Sequence, residues 1–116
     1  MASGSRIRVA NVAYLNSAPY RAARDISSVE YFETAPAECA RMLHEDEADI
    51  AVVPIADVFA HGGYRMLPLG IAARGPVESV TLFSQRPIEQ LEAILVDRSS
   101  HTSVMLLREL LAEAYP

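Results

Sequence analysis

Ala48-Asp49-Ile50-Ala51-Val52-Val53-Pro54 decides the fold class. After Asp49 the apolar residues follow one another without a polar break, and Pro54 closes the run. A strand with one wet face alternates apolar and polar residues. A strand covered on both faces does not, so this stretch reads as a buried strand of a parallel sheet. Toward the N-terminus, Pro36 to His44 carries apolar groups at Ala37, Ala40, Met42 and Leu43 and reads as a helix. Val29-Glu30-Tyr31-Phe32-Glu33 before it is a strand rich in β-formers. Asn16-Ser17-Ala18-Pro19 supplies cap residues with a proline just inside, the start of a helix through Arg24. Arg6-Ile7-Arg8-Val9-Ala10, running on to Val12, is the first strand. Toward the C-terminus a short helix through Phe59 precedes the turn at Gly62-Gly63. The order β-α-β-α-β-α implies an α/β parallel-sheet lobe with helices on its faces.

Beyond that turn, Met66–Ala73 and Val77–Phe83 read as strands separated by Arg74-Gly75-Pro76. A short helix over Pro87–Leu91, a buried strand Ala93–Val96 and a helix from His101 to Ala114 follow. In that last helix Val104, Leu107, Leu110 and Leu111 form one apolar stripe. Val77–Phe83 carries the chain out of the first lobe, and a new β-α unit begins after it. The expected organisation is therefore a first α/β lobe over residues 1–76, then a crossover strand and the start of a second lobe over 77–116. The remainder of that lobe and the return to the first lie outside the sequence, which reads as truncated.

The hydrophobic fraction of 51% suits a globular chain. No apolar stretch is long enough to span a bilayer, and no apolar segment follows the small polar start Met1–Ser5, so the reading is cytoplasmic with no membrane partner. The net charge of -5 argues against nucleic acid as a partner. All ten basic residues are arginine. Without lysine, Schiff-base chemistry and a Walker-type phosphate site are excluded within this chain. The lone Cys39 has no partner for a disulfide or a metal cluster and reads as a buried structural thiol. An unfinished sheet edge would favour pairing with a second copy, so a homodimer is one expectation.

Ligands of open parallel sheets sit beyond the carboxyl ends of the strands. Three loops meet that description: Tyr14-Leu15-Asn16-Ser17, Gly75-Pro76-Val77-Glu78-Ser79, and Ser99-Ser100-His101-Thr102-Ser103. Two of them open helices, where free N–H groups and hydroxyls suit a carboxylate. At Asn16, Ser17, Ser99 and Ser100 the residue pattern by itself favours helix capping over ligand contact. His44 and His61 read as exposed, and His101, beside a candidate anion turn, also reads as a surface residue. Ser99, His101 and Asp97 are too close in sequence to converge as a catalytic triad.

Val9-Ala10-Asn11-Val12-Ala13-Tyr14-Leu15-Asn16-Ser17-Ala18-Pro19, Glu47 through Pro54, Gly70 through Val80 and Asp97 through Ser103 together resemble the chorismate dehydratases of the futalosine route to menaquinone. The four segments occur in family order across nearly the whole chain, although Ala18, Arg98 and His101 depart from the family pattern. The resemblance implies a periplasmic-binding-protein type II-like fold, of which this would be the N-terminal portion. It implies loss of water from chorismate to give 3-[(1-carboxyvinyl)oxy]benzoate, with no metal or organic cofactor. By the same resemblance Asn16 is the catalytic position, orienting and polarising beside the reacting carbons. Tyr14, Ser17, Ser79 and Val80, with Ser99, Ser100, Thr102 and Ser103, bind substrate. Full members are well over twice as long, so this chain alone is expected to be inactive or feebly active. A non-catalytic carboxylate-binding module of the same architecture is the alternative. An effector domain of a DNA-binding regulator ranks behind both.

Overall fold

The computed structural model describes residues 4–115. Met1–Ser3 and Pro116, within the small polar start and the end of the sequence discussed above, lie outside the described residues. Three parallel strands form one sheet in the order β2-β1-β3, with β1 Ile7–Val12 central, β2 Val29–Thr34 on one side and β3 Ile50–Ala51 on the other. Ile7 lies opposite Val29 and Val12 opposite Thr34, while Val9 and Ala10 face Ile50 and Ala51. The continuous apolar run thus enters the sheet as expected, but regular pairing covers only two of its residues. Val52 still donates its amide to the Ala10 carbonyl at 2.9 Å before Pro54 ends any further bonding.

Helix α1, Pro36–His44, matches the sequence reading at both ends. Pro36 sits where a helix needs no amide, Glu38 lies in the first turn, and Arg41 and His44 lie in the last, each complementing the helix dipole. The helix buries Cys39, Ala40 and Met42. Cys39 and Met42 meet Ala10, Val12 and Ala48, with Phe32, Ala51, Val52 and Val53 packed around them. The core therefore lies between α1 and one face of the sheet. The Cys39 thiol is fully buried, and that burial pushes its pKa up to about 11. This agrees with a structural thiol. It should react with a disulfide reagent at pH 8 on the order of 100-fold more slowly in the native chain than in denaturant. Reaction at the unfolded rate would show that the α1 packing does not hold in solution.

The other face of the sheet is covered differently. The segment expected to be an α-helix from Asn16 to Arg24 is a 3-10 helix over Leu15–Asp25, with Pro19 inside it. Proline withholds one amide, and the run closes by i to i+3 bonds such as Ser17 N–H to Tyr14 O at 3.2 Å. Asn16 and Ser17 lie within the helix and do not cap it. Arg21 and Arg24 both pair with Glu33 of β2, and the Arg24 guanidinium lies over the Tyr31 ring, 5.0 Å from its centroid.

Charge pairs also hold the turn into β3. The Arg8 amide donates to Asp49 Oδ2 at 2.8 Å, its guanidinium reaches Asp49 Oδ1 at 2.9 Å, and the Asp49 amide returns a bond to the Arg8 carbonyl. Arg41 bonds Glu38, Glu45 and Glu47. Hydrogen bonds from Arg8 hold the Asp49 pKa below its ordinary range, and bonds from Arg41 do the same for Glu38 and Glu47. Their folded pKa values are depressed, so their contribution is present above the unfolded values near pH 4 and is lost as pH falls through the folded ones. The groups are exposed, so salt screens them. The expected result is a melting temperature that declines below about pH 4, with a smaller decline at about 1 M salt. A pH-independent melt from 6 to 3 would contradict it.

After α2, Ile55–His61, the structure departs from the sequence reading. Gly62 ends that helix with φ 62°, a conformation glycine adopts without strain. Met66–Ala73, Val77–Phe83 and Ala93–Val96, each expected to be a strand, form none. A strand exists only through a hydrogen-bonded neighbour, and among the described residues these segments have none. Phe83 is 89% exposed and Leu95 99%. The expected helix at Pro87–Leu91 is one 3-10 turn, Ile88–Gln90. Helix α3, His101–Ala114, has the expected bounds, but none of its residues is fully buried. Val104, Leu107 and Leu111 are half-covered and Leu110 is exposed. The molecule measures 66 × 27 × 23 Å with a radius of gyration of 17.5 Å, against about 13 Å for a compact chain of this length.

Candidate functional site

β1 delivers its last residues to the carboxyl edge of the sheet, where ligands of parallel sheets bind. Ala13 extends the pairing by one bond to the Thr34 carbonyl at 2.9 Å, and the chain then turns through Tyr14-Leu15-Asn16-Ser17. Tyr14, Leu15 and Asn16 are exposed, Leu15 to 85%. Asn16 thus presents a neutral amide to solvent at the rim of the sheet.

Ser17, expected as a substrate contact, lies inside the turn. It is fully buried, and its hydroxyl lies 2.6 Å from the Val12 carbonyl and 2.7 Å from the Tyr14 carbonyl, donating between them. It has no surface to offer a ligand in this arrangement. Instead it ties the loop to the strand that precedes it.

Behind Ser17 stands Asn11, which sequence reasoning passed over. Its carboxamide is fully buried, and Nδ2 donates to Tyr31 Oη at 2.8 Å, to Ser17 Oγ at 3.3 Å and to the Ser17 carbonyl at 3.4 Å. Its Oδ1 has no partner among the described residues. An unsatisfied buried acceptor costs about 1–3 kcal/mol, which an apolar residue of similar size would avoid. The signal was present in the sequence: an asparagine within Val9-Ala10-Asn11-Val12, where β-propensity disfavours it.

The Ser99–Ser103 turn reaches the same edge of the sheet through α2, which directly follows β3. His101 Nδ1 lies 2.9 Å from each carboxylate oxygen of Asp57, whose side chain is nearly buried. The Ala56 amide, in the first turn of α2, donates to Thr102 Oγ1 at 3.3 Å. The first turns of α2 and α3 are thereby docked. His101 keeps a half-exposed ring, as the surface reading expected, yet it also fastens α3 to α2. Asp57 was not foreseen, because nothing local marks a partner 44 residues away.

The hydroxyls of this turn are already engaged. Asp97 accepts from the Ser99 amide at 2.9 Å, from Ser99 Oγ at 2.7 Å and from Ser100 Oγ at 2.9 Å. These bonds, led by the Ser99 amide, lower the Asp97 pKa. Asp97 therefore occupies the Ser99 and Ser100 donors, two of the four side chains expected to hold a substrate carboxylate, and an incoming anion at those two must displace it. Ser99, His101 and Asp97 do not converge, in line with their closeness in sequence, and His101 turns to Asp57. Ser103 is half-buried in the first turn of α3.

Ser79 and Val80 are not gathered with the other two loops. They lie in the exposed stretch after Gly75, and the turn there closes on itself by a weak bond from the Val80 amide to Val77. With Met66–Ala73 and Val77–Phe83 unpaired, nothing brings this turn toward the rim of β1.

Beside the serine turn, a shallow groove of about 350 Å³ is lined by Val96, Arg98, His101, Val104, Met105 and Arg108. It combines apolar walls with two guanidinium groups. A larger groove of about 560 Å³ lies along the far half of α3, among Ile88, Leu91, Ile94 and Tyr115, and holds none of the expected site residues. No helix among the described residues is long and apolar enough to cross a membrane.

A family model described as menaquinone biosynthesis matches residues 7–116, nearly the whole chain. No curated protein and no solved structure matches it. The match runs through the Asn16 turn, the docked first turns of α2 and α3 and the serine turn alike, and on that extent the chain belongs to the menaquinone biosynthesis family.

Proposed function

We propose that the chain carries the dehydration of chorismate to 3-[(1-carboxyvinyl)oxy]benzoate. The observation that carries this reading is the exposed Asn16 amide at the carboxyl rim of the central strand, within a chain of the menaquinone biosynthesis family. In this reaction the C4 hydroxyl leaves with a proton from C3, and the electron pair of the C3–H bond completes the aromatic ring. Aromatisation supplies the driving force, so the protein's task is to position and to exclude water. Asn16 orients and polarises beside the reacting carbons. An amide is too weak a base to take the proton alone, and a carboxylate of the substrate itself is the acceptor in this scheme.

Chorismate carries two carboxylates, and the chain has no lysine to meet them. Arg98 and Arg108 in the groove beside the serine turn suit one of them, with Val96, Val104 and Met105 against the ring. Ser99, Ser100, Thr102 and Ser103 suit a carboxylate that displaces Asp97, and Ser79 with its backbone serves the other once the Gly75–Val80 turn is folded in. On this reading residues 77–116 open a second lobe of a periplasmic-binding-protein type II-like fold.

The test is incubation with chorismate and chromatographic identification of the aromatic product. Formation of the enolpyruvyl ether of 3-hydroxybenzoate supports the reading. Failure of both this chain and any longer polypeptide that contains it to form that product, or release of pyruvate instead, sinks it.

A further inference from the structure

We propose that Asn11, backed by Tyr31, is the positioning residue for the Asn16 turn, an inference that rests on the reading of Asn16 above for its catalytic consequence. The turn is tied at both ends. Ser17 closes it by bonding the Val12 and Tyr14 carbonyls, and Asn11 holds Ser17 from below through both its hydroxyl and its carbonyl. Ala13, Tyr14, Leu15 and Asn16 are the exposed residues between these anchors. The orientation of the Asn11 amide is dictated, because the Ser17 carbonyl can only accept and so must face Nδ2.

Tyr31 fixes the far side of the same amide at 2.8 Å, and Tyr31 is itself held under the Arg24 guanidinium that pairs with Glu33. A continuous path of contacts thus runs from β2 through Asn11 to the turn. The amide's donors are all engaged while its acceptor has no partner, so the residue is retained for what it donates to. Neighbouring Ala10 and Val12 point into the apolar core on the opposite face, where no polar group is needed.

Two variants test this, Asn11→Ala and Tyr31→Phe. The second removes a single oxygen and keeps the ring, so it decides the matter if the first does not fold. Amide hydrogen exchange at Ser17 should quicken by about tenfold or more in each variant, with the Asn16 side-chain amide resonances displaced. Glu45, whose amide bonds Arg41 at the far end of α1, should be unchanged. On chorismate, kcat should drop by about 10- to 100-fold while KM moves by less than about threefold. Wild-type exchange at Ser17 in both variants overturns the inference, and so does a loosened turn that leaves kcat intact. If neither the unaltered chain nor a longer polypeptide that contains it yields the aromatic product, the chorismate reading falls, and the exchange data alone decide whether Asn11 holds the turn.

Discussion

Replacing Met42 with alanine should abolish the cooperative unfolding transition of this chain at room temperature. The fully apolar core consists of Ala10, Val12, Cys39, Met42 and Ala48, and Met42 is by far the largest side chain among them. A buried Met→Ala change costs about 2–5 kcal/mol, through lost transfer energy and the cavity left behind. Single domains have about 5–15 kcal/mol in total, and a core with so few large residues places this one at the low end. The exposed surface of 9281 Å², against about 6,200 Å² for a compact protein of this mass, points the same way. Leu106→Ala, at an exposed position on α3, should change stability by no more than about 0.5 kcal/mol. Circular dichroism melts of the two variants decide the point. A Met42→Ala melt within a few degrees of the parent would place the stabilising contacts elsewhere.

Asn16→Ala should lower chorismate turnover by about 100-fold or more with the melting temperature unchanged. Asn16 is exposed, so its removal opens no cavity and strips no partner. Loss of a polar group that meets charge developing in the transition state typically costs about 10²–10³ in kcat. A variant that turns over at the parent rate would remove Asn16 from the mechanism. Ser17→Ala is informative beside it, because Ser17 is buried and joins Val12 to Tyr14. That change should lower stability and activity together, whereas Asn16→Ala should separate them.

Much of the sheet and of the helix packed on its core was legible in the residue pattern. The bounds of α1, β1 and β2 follow from proline at a helix start, from apolar periodicity and from β-formers, all of which act over a few residues. Helix α3 was legible for the same reason. Cys39, read as a buried structural thiol because it has no disulfide or metal partner, is fully buried. Asn16 was found through resemblance, and its exposure at the strand end is consistent with the placement of a ligand-facing residue.

What the sequence by itself determined is the α-helices α1 and α3 and the extents of β1 and β2, because those depend on spacings within a few residues. Tertiary structure alone decided the rest. The pairing of His101 with Asp57 joins residues 44 apart, and no local spacing encodes it. The bond from Asn11 to Ser17 crosses the sheet-helix interface, and nothing in the residues around Ser17 announces it. Asp97 took the serine donors because a carboxylate two residues away reaches them before any substrate can. The runs 66–73, 77–83 and 93–96 have the composition of strands and form none. A strand's hydrogen bonds lie outside itself, so its existence is settled by a neighbour rather than by its own residues.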